Sequence, residues 1–162
     1  MTRDERQKLI EQYNDGYRVV AEALTGIDDE QLDARPGPGK WSSREIVHHL
    51  ADSEMTAATR LRLLLAVDNP PIYGYNQDEF AKRLFYDRPI AASLDAFKAA
   101  RLTTSEILKC MSDADWQRPG SHTEHKGTYT PERWLEIYGP HAHRHAEQIL
   151  AARGTAKKKP QS

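Results

Sequence analysis

The sequence predicts an all-α protein, a four-helix bundle. Three observations carry that expectation. Four stretches place apolar residues at helical spacing, three of them open on a recognisable cap, and strand signals are few. Amphipathic helices of this kind hide their apolar stripes by packing against one another. At 162 residues, the chain is expected to form one domain over residues 1–153, followed by a disordered tail over residues 154–162.

The first helix starts from the capping-box spacing of Thr2 and Glu5. Leu9, Tyr13, Val20, Ala23 and Leu24 then recur at helical spacing until Gly26 offers a stop. Arg35-Pro36-Gly37-Pro38-Gly39-Lys40 cannot continue a helix. Ser42 and Glu45 form a second capping box, so helix two is expected from Ser43. Its inward stripe is Ile46, Leu50, Ser53, Ala57, Leu61 and Leu64, and Asp68-Asn69-Pro70-Pro71 ends it.

Residues 72–88 read as a long connection with one helical turn around Asp78–Leu84, and a loop of that length belongs to a site or is disordered. Helix three begins between Pro89 and Ser93 and uses Leu94, Phe97, Thr104, Leu108 and Met111. Cys110, near its end, reads as a small buried or half-buried side chain. The polar, turn-rich segment 112–130 has room for a short hairpin. Thr130 as N-cap and Pro131 as first residue open helix four, which is expected to run to about Arg153. A short internal echo relates Ile27–Pro36 to Met111–Pro119, each leading into a helix that bears histidines.

Composition excludes several classes. Charged residues are 29% of the chain and the formal net charge is -1, which argues against a nucleic-acid binder with a basic surface. The tail run Lys157-Lys158-Lys159 reads as solvated. Cys110, alone, cannot form an internal disulfide, which fits a reducing compartment. The charged N-terminus lacks a signal peptide's apolar core, and Leu63-Leu64-Leu65-Ala66-Val67 is too short to span a bilayer. A cytoplasmic protein without membrane or nucleic-acid partners is expected.

The chemistry is concentrated in Tyr138 to Ile149. His141 and His145 are four residues apart and stack on one helical face with Trp134, Tyr138, Gln148 and Ile149. Inward imidazoles are costly unless paired. At about 100° per residue, His49 lies beside Ile46 and Ser53 on helix two, while His48 points away. His49, His141 and His145 thus form a candidate metal site. Three neutral imidazoles suit Zn²⁺, with Ni²⁺ as the alternative, and three ligands leave a position for water or substrate. The pattern is no zincin motif, because Ala142 stands where a Glu base would follow the first histidine.

Blander readings exist for each residue. Inward histidines are often hydrogen-bonded core residues. His122-Thr123-Glu124-His125 is either a second metal site or a solvated loop, and the loop is preferred. His143 reads as surface. Asp52 and Glu54 either orient a ligand and exchange protons or are ordinary exposed acids. Arg144 meets an anionic substrate group or pairs with an acid. Pro140, inside helix four, cannot donate to the carbonyl of Glu136 and should kink the helix ahead of the histidine pair.

Trp41-Ser42-Ser43-Arg44-Glu45-Ile46-Val47-His48-His49-Leu50-Ala51-Asp52-Ser53-Glu54, with His141-Ala142-His143-Arg144-His145-Ala146-Glu147-Gln148-Ile149, resembles the DinB superfamily, particularly its YfiT-like branch. The resemblance implies a four-helix bundle with a divalent metal on three histidines, carried over here to His49, His141 and His145. It further implies a metal-dependent hydrolase or a transferase that uses a low-molecular-weight thiol on a small-molecule substrate, with some members homodimeric. A protein that binds or senses a small molecule without catalysis is the reading from another class. Tyr13, Tyr17, Leu63 and Leu65 are candidates for a dimer interface, or else half-buried core.

Overall fold

Residues 1–155 are described by a computed structural model. Four long helical segments form a four-helix bundle: α1 (Arg3–Ala23), α3 (Ser43–Ala66), α5 (Ala91–Cys110), and a pair in tandem, α6 (Pro131–Tyr138) and α7 (His141–Arg153). Short elements fill the connections. These are α2 (Asp29–Asp33), α4 (Gln77–Arg83), a 3₁₀ turn at Asp115–Gln117, and the strands β1 (Pro71–Ile72), β2 (Gly120–His122) and β3 (His125–Tyr129).

The predicted starts are seen as reciprocal caps. Thr2 and Ser42 each accept from the backbone N–H three residues on, and Glu5 and Glu45 each reach back to the cap's own N–H. Thr130 caps α6, with Pro131 in its first turn. Gly26, at φ 67°, adopts the left-handed conformation after α1. α2 was not anticipated, although Asp28 and Gln31 form a third capping box. The internal echo falls on matching local structure: α2 and the 3₁₀ turn are each single turns that bury one large side chain, Leu32 and Trp116.

Several expectations need correction. Helix four is broken in two at Gly139-Pro140, where a continuous kinked helix was predicted. The turn expected around residues 78–84 is a seven-residue helix capped by Asn76. The predicted hairpin exists as antiparallel β2–β3, and β1 joins it in parallel, pairing Pro71 with Ser121 and Ile72 with His122. Cys110 is exposed because it lies about 200° around α5 from Leu108, the residue of the last turn that is buried in the core. Gly154 caps α7 and the Thr155 N–H bonds to the Ala152 carbonyl; the rest of the predicted tail, 156–162, lies outside the described residues.

Two apolar clusters form the core. One joins Val20, Ile46, Leu50, Phe97, Ala142 and Ile149; the other joins Tyr13, Leu61, Leu64, Leu108, Trp134 and Tyr138. Between them runs a polar seam. Arg101 Nε bonds to Glu54 Oε2 at 2.8 Å with both side chains buried, and the Tyr13 hydroxyl donates to the other carboxylate oxygen. Arg101 also donates to the Tyr13 carbonyl and, at 3.2 Å, to the Tyr138 carbonyl. Gly16 makes the seam buildable, since a Cβ there would overlap the Arg101 guanidinium.

This seam accounts for the break in helix four. Pro140 has no N–H for the carbonyl of Glu136, and the carbonyls just ahead of it lose their helical partners. Arg101 donates to the Tyr138 carbonyl, and Arg144 donates to the Ile137 carbonyl at 3.4 Å. Two guanidinium groups therefore bridge the gap, and α7 starts afresh at His141.

Candidate metal centre

α3 and α7 bring His49, His141 and His145 together at the seam, with ligating atoms all within 4.8 Å of one another. His141 Nε2 lies 3.1 Å from His145 Nε2 and 3.4 Å from His49 Nε2. Nitrogens about 2.0–2.1 Å from a shared tetrahedral Zn²⁺ would be separated by about 3.3 Å. The two observed separations bracket that value. A single ring N–H cannot serve both contacts well, whereas a cation between the nitrogens accepts a lone pair from each. The donor set therefore fits a divalent ion.

The surroundings orient the rings. His145 Nδ1 faces Oε1 of Gln148 at 2.8 Å, so Nδ1 carries the proton and Nε2 keeps its lone pair. Trp41, just ahead of the Ser42 cap, packs its indole 4.8 Å from the His49 ring. Tyr138 meets His141 edge to face at 6.0 Å. The Nδ1 atoms of His49 and His141 are buried and have no protein partner among the described residues.

Electrostatics keep all three rings neutral. Burial lowers His49 to about 3, with the neighbouring His145 adding to it. His145 falls to about 4, again through burial, against the opposing hydrogen bond to Gln148. His141 is pushed well below the usual range by burial first, then by His145, His49, Arg101 and Arg144. The break contributes as well, because His141 sits at the positive end of α7.

A cleft of about 500 Å³ opens beside His145. Trp41 and Lys40 line one side, Gln148 and Ala151 another, and Gln77 and Asp78 at the start of α4 a third. The 72–88 connection thus helps build the site, as its length suggested, while no residue of the 112–130 segment lines this cleft.

The remaining candidates separate. His48 is buried about 100° around α3 from His49, with Nδ1 2.8 Å from Ser93 Oγ and Nε2 2.9 Å from the Arg88 carbonyl. It anchors the start of α5. Glu54 is no exposed acid and does not reach the histidines: Arg101 and Tyr13 consume it. Asp52 accepts from the Tyr86 hydroxyl at 2.7 Å. Arg144 is exposed and spent on the helix break. His143 is half-buried against α1, 3.3 Å from Asp15 Oδ2, and not on the open surface. His122 and His125 pack together in the hairpin with ring centroids 4.6 Å apart, His122 buried; they join no three-residue cluster among the described residues. Tyr13 is wholly buried and cannot belong to a dimer interface.

Sequence reasoning missed Trp41 as a wall of the site, Asp78 and Gln77 as its rim, and Arg101 as the bridge under His141. The run of Trp41 into a capped helix was visible, but its aim at His49 depends on how residues 36–41 fold back.

The family model of the DinB superfamily matches residues 12–149. The chain belongs to the DinB superfamily. A protein of Oceanobacillus iheyensis named "Putative metal-dependent hydrolase" is 32% identical over 142 residues, which are 88% of this chain and 82% of that relative. One of the same name from Geobacillus thermodenitrificans is 31% identical over 132 residues, covering 81% and 74% of the two chains. The solved structure of YfiT from Bacillus subtilis superposes with a TM-score of 0.87 at 26% identity, covering 97% of this chain and 91% of that one. That protein is described as "a probable metal-dependent hydrolase with an unusual four-helix bundle topology".

Proposed function

We propose that this member of the DinB superfamily is a metal-dependent hydrolase of small molecules, with His49, His141 and His145 holding Zn²⁺, or Ni²⁺ in its place. The convergence of three neutral Nε2 atoms at 3.1 and 3.4 Å carries the reading, and the names of the relatives support it. When bound, such an ion acts as a Lewis acid that ionises a coordinated water or thiol near neutral pH.

The residues of the chain supply the rest. The three imidazoles fix the position of the reacting centre, and Gln148 holds His145 in the ligating tautomer. Trp41 and Ile46 form an apolar wall that limits water. Lys40 and Asp78, opposite in charge, line the cleft where a polar substrate enters.

A second reading is transfer of a low-molecular-weight thiol to an electrophile, and one observation favours it. The acids close to His49 in sequence are committed elsewhere, Asp52 to Tyr86 and Glu54 to Arg101. A nucleophile that ionises readily, as a thiol does, needs no carboxylate base.

Untagged protein and its His145→Ala variant decide between these outcomes. Metal content near one equivalent in the wild type and well below that in the variant is expected; equal content in both overturns the site. Turnover of esters or amides without added thiol identifies the hydrolase. Consumption of an electrophile only when a small thiol is present identifies the transferase. Metal bound with neither activity leaves a binding or sensor protein.

A further inference from the structure

The core holds two buried arginines, and they are treated differently. Arg101 has Glu54 as its counter-ion. Arg60, 8% exposed, has none: no carboxylate among the described residues lies within 4.0 Å of its guanidinium. Its Nη1 donates to the Tyr138 hydroxyl at 2.7 Å, its Nη2 donates to the Tyr73 carbonyl, and the Tyr75 ring lies 5.7 Å from Cζ. These contacts fix the plane of the group but leave three of its five N–H donors, Nε–H among them, without a partner among the described residues. A buried cation without a counter-ion is costly.

Arg60 lines a groove of about 400 Å³ between α3 and β1. Its walls are apolar: Met55, Leu63 and Tyr73 are 45%, 38% and 70% exposed and stand along it, with Ile72 behind. Thr56 and Thr59 also line it, but each hydroxyl proton is spent on the backbone carbonyl four residues earlier. Arg60 is the one charged side chain among the residues that line the groove. The groove shares no lining residue with the cleft beside His145.

We infer that this groove is a second ligand site, which takes a small carboxylate with a short apolar body. The carboxylate pairs with the free N–H groups of Arg60, whose fork geometry matches two oxygens, and the apolar part lies along Met55, Leu63 and Tyr73. Through the Tyr138 hydroxyl, Arg60 is one side chain removed from His141.

Calorimetric titration with hexanoate and its neutral isostere hexanamide tests this, using wild type, Arg60→Met, Leu63→Glu and His145→Ala. Saturable hexanoate binding is expected in wild type, at least tenfold tighter than hexanamide. Arg60→Met should weaken it at least tenfold, and Leu63→Glu, which sets a like charge on the rim, several-fold. His145→Ala should leave it unchanged, which separates this groove from carboxylate ligation at the three histidines. Equal binding of acid and amide, no saturation in wild type, or loss in His145→Ala overturns the inference. So does unchanged affinity in a folded Arg60→Met; where that variant does not fold, unchanged affinity in Leu63→Glu does the same.

Discussion

Gln148 holds His145 from one turn further along α7, Oε1 to Nδ1 at 2.8 Å. No other contact among the described residues engages Nδ1 of that ring. Partners of this kind are worth about 10–100-fold in metal affinity. Gln148→Ala should therefore lower affinity at least tenfold in a competition titration with a chelator. Gln148 is exposed, so the melting temperature of the metal-free protein should stay within a degree or two. Unaltered affinity would show that the hydrogen bond is incidental.

The Glu54–Arg101 pair makes a different prediction. Removing one member of a buried pair strands the other and typically costs about 3–5 kcal/mol. Arg101→Met also withdraws the donor to the Tyr138 carbonyl at the helix break. Urea unfolding should show Arg101→Met strongly destabilised, and the double variant with Glu54→Gln less so than the sum of the singles. Simple additivity would mean that the two groups act independently.

Acid sensitivity follows from the histidines. His48, His49, His122, His141 and His145 all lie below the ordinary value, with burial the largest cause in each. Above about pH 6.5 these groups are neutral whether the chain is folded or not, and they contribute no pH dependence. As pH falls below that value the unfolded chain takes up protons that the folded chain refuses, so stability declines until the folded-state values, about 3 for His49 and about 4 for His145, are passed. Unfolding free energies of the metal-stripped protein should change little between pH 7.5 and 6.5 and then fall with increasing steepness at pH 6 and 5, toward a slope of several protons. A flat profile over that range would contradict the burial of neutral rings.

His48 separates structure from chemistry. His48→Phe removes the contacts to Ser93 and the Arg88 carbonyl and leaves both groups without that partner, at a cost of about 1–3 kcal/mol. Metal content should be unaffected, since the ring points about 100° away from His49 around α3 and is held by Ser93 and the Arg88 carbonyl. Loss of metal in a folded His48→Phe would reassign the ligand set.

Much of this was written locally in the chain. The capping boxes at Thr2 and Ser42, the apolar stripe from Ile46 to Leu64, and the four-residue spacing of His141 and His145 each lie within a few turns of one helix. The helical period alone then fixes which side chains share a face. That is why His49 could be separated from His48 by angle, and why the structure brings it to His141 and His145.

What only tertiary structure decided involves residues far apart in sequence. Arg101 reaches the break at Tyr138 across 37 residues, and Glu54 meets Arg101 across 47. The return of residues 36–41 and 77–78 over His145 forms the cleft, and the pairing of β1 with β2 carries Tyr73 onto Arg60. Helical periodicity sets the direction of a side chain and says nothing of what the next element places in front of it. Pro140 shows the difference most clearly. The sequence by itself determined that residue 140 could donate no helical hydrogen bond to the carbonyl of Glu136. The fold determined that the helix would part there, because two arginines stood ready to take the carbonyls so exposed.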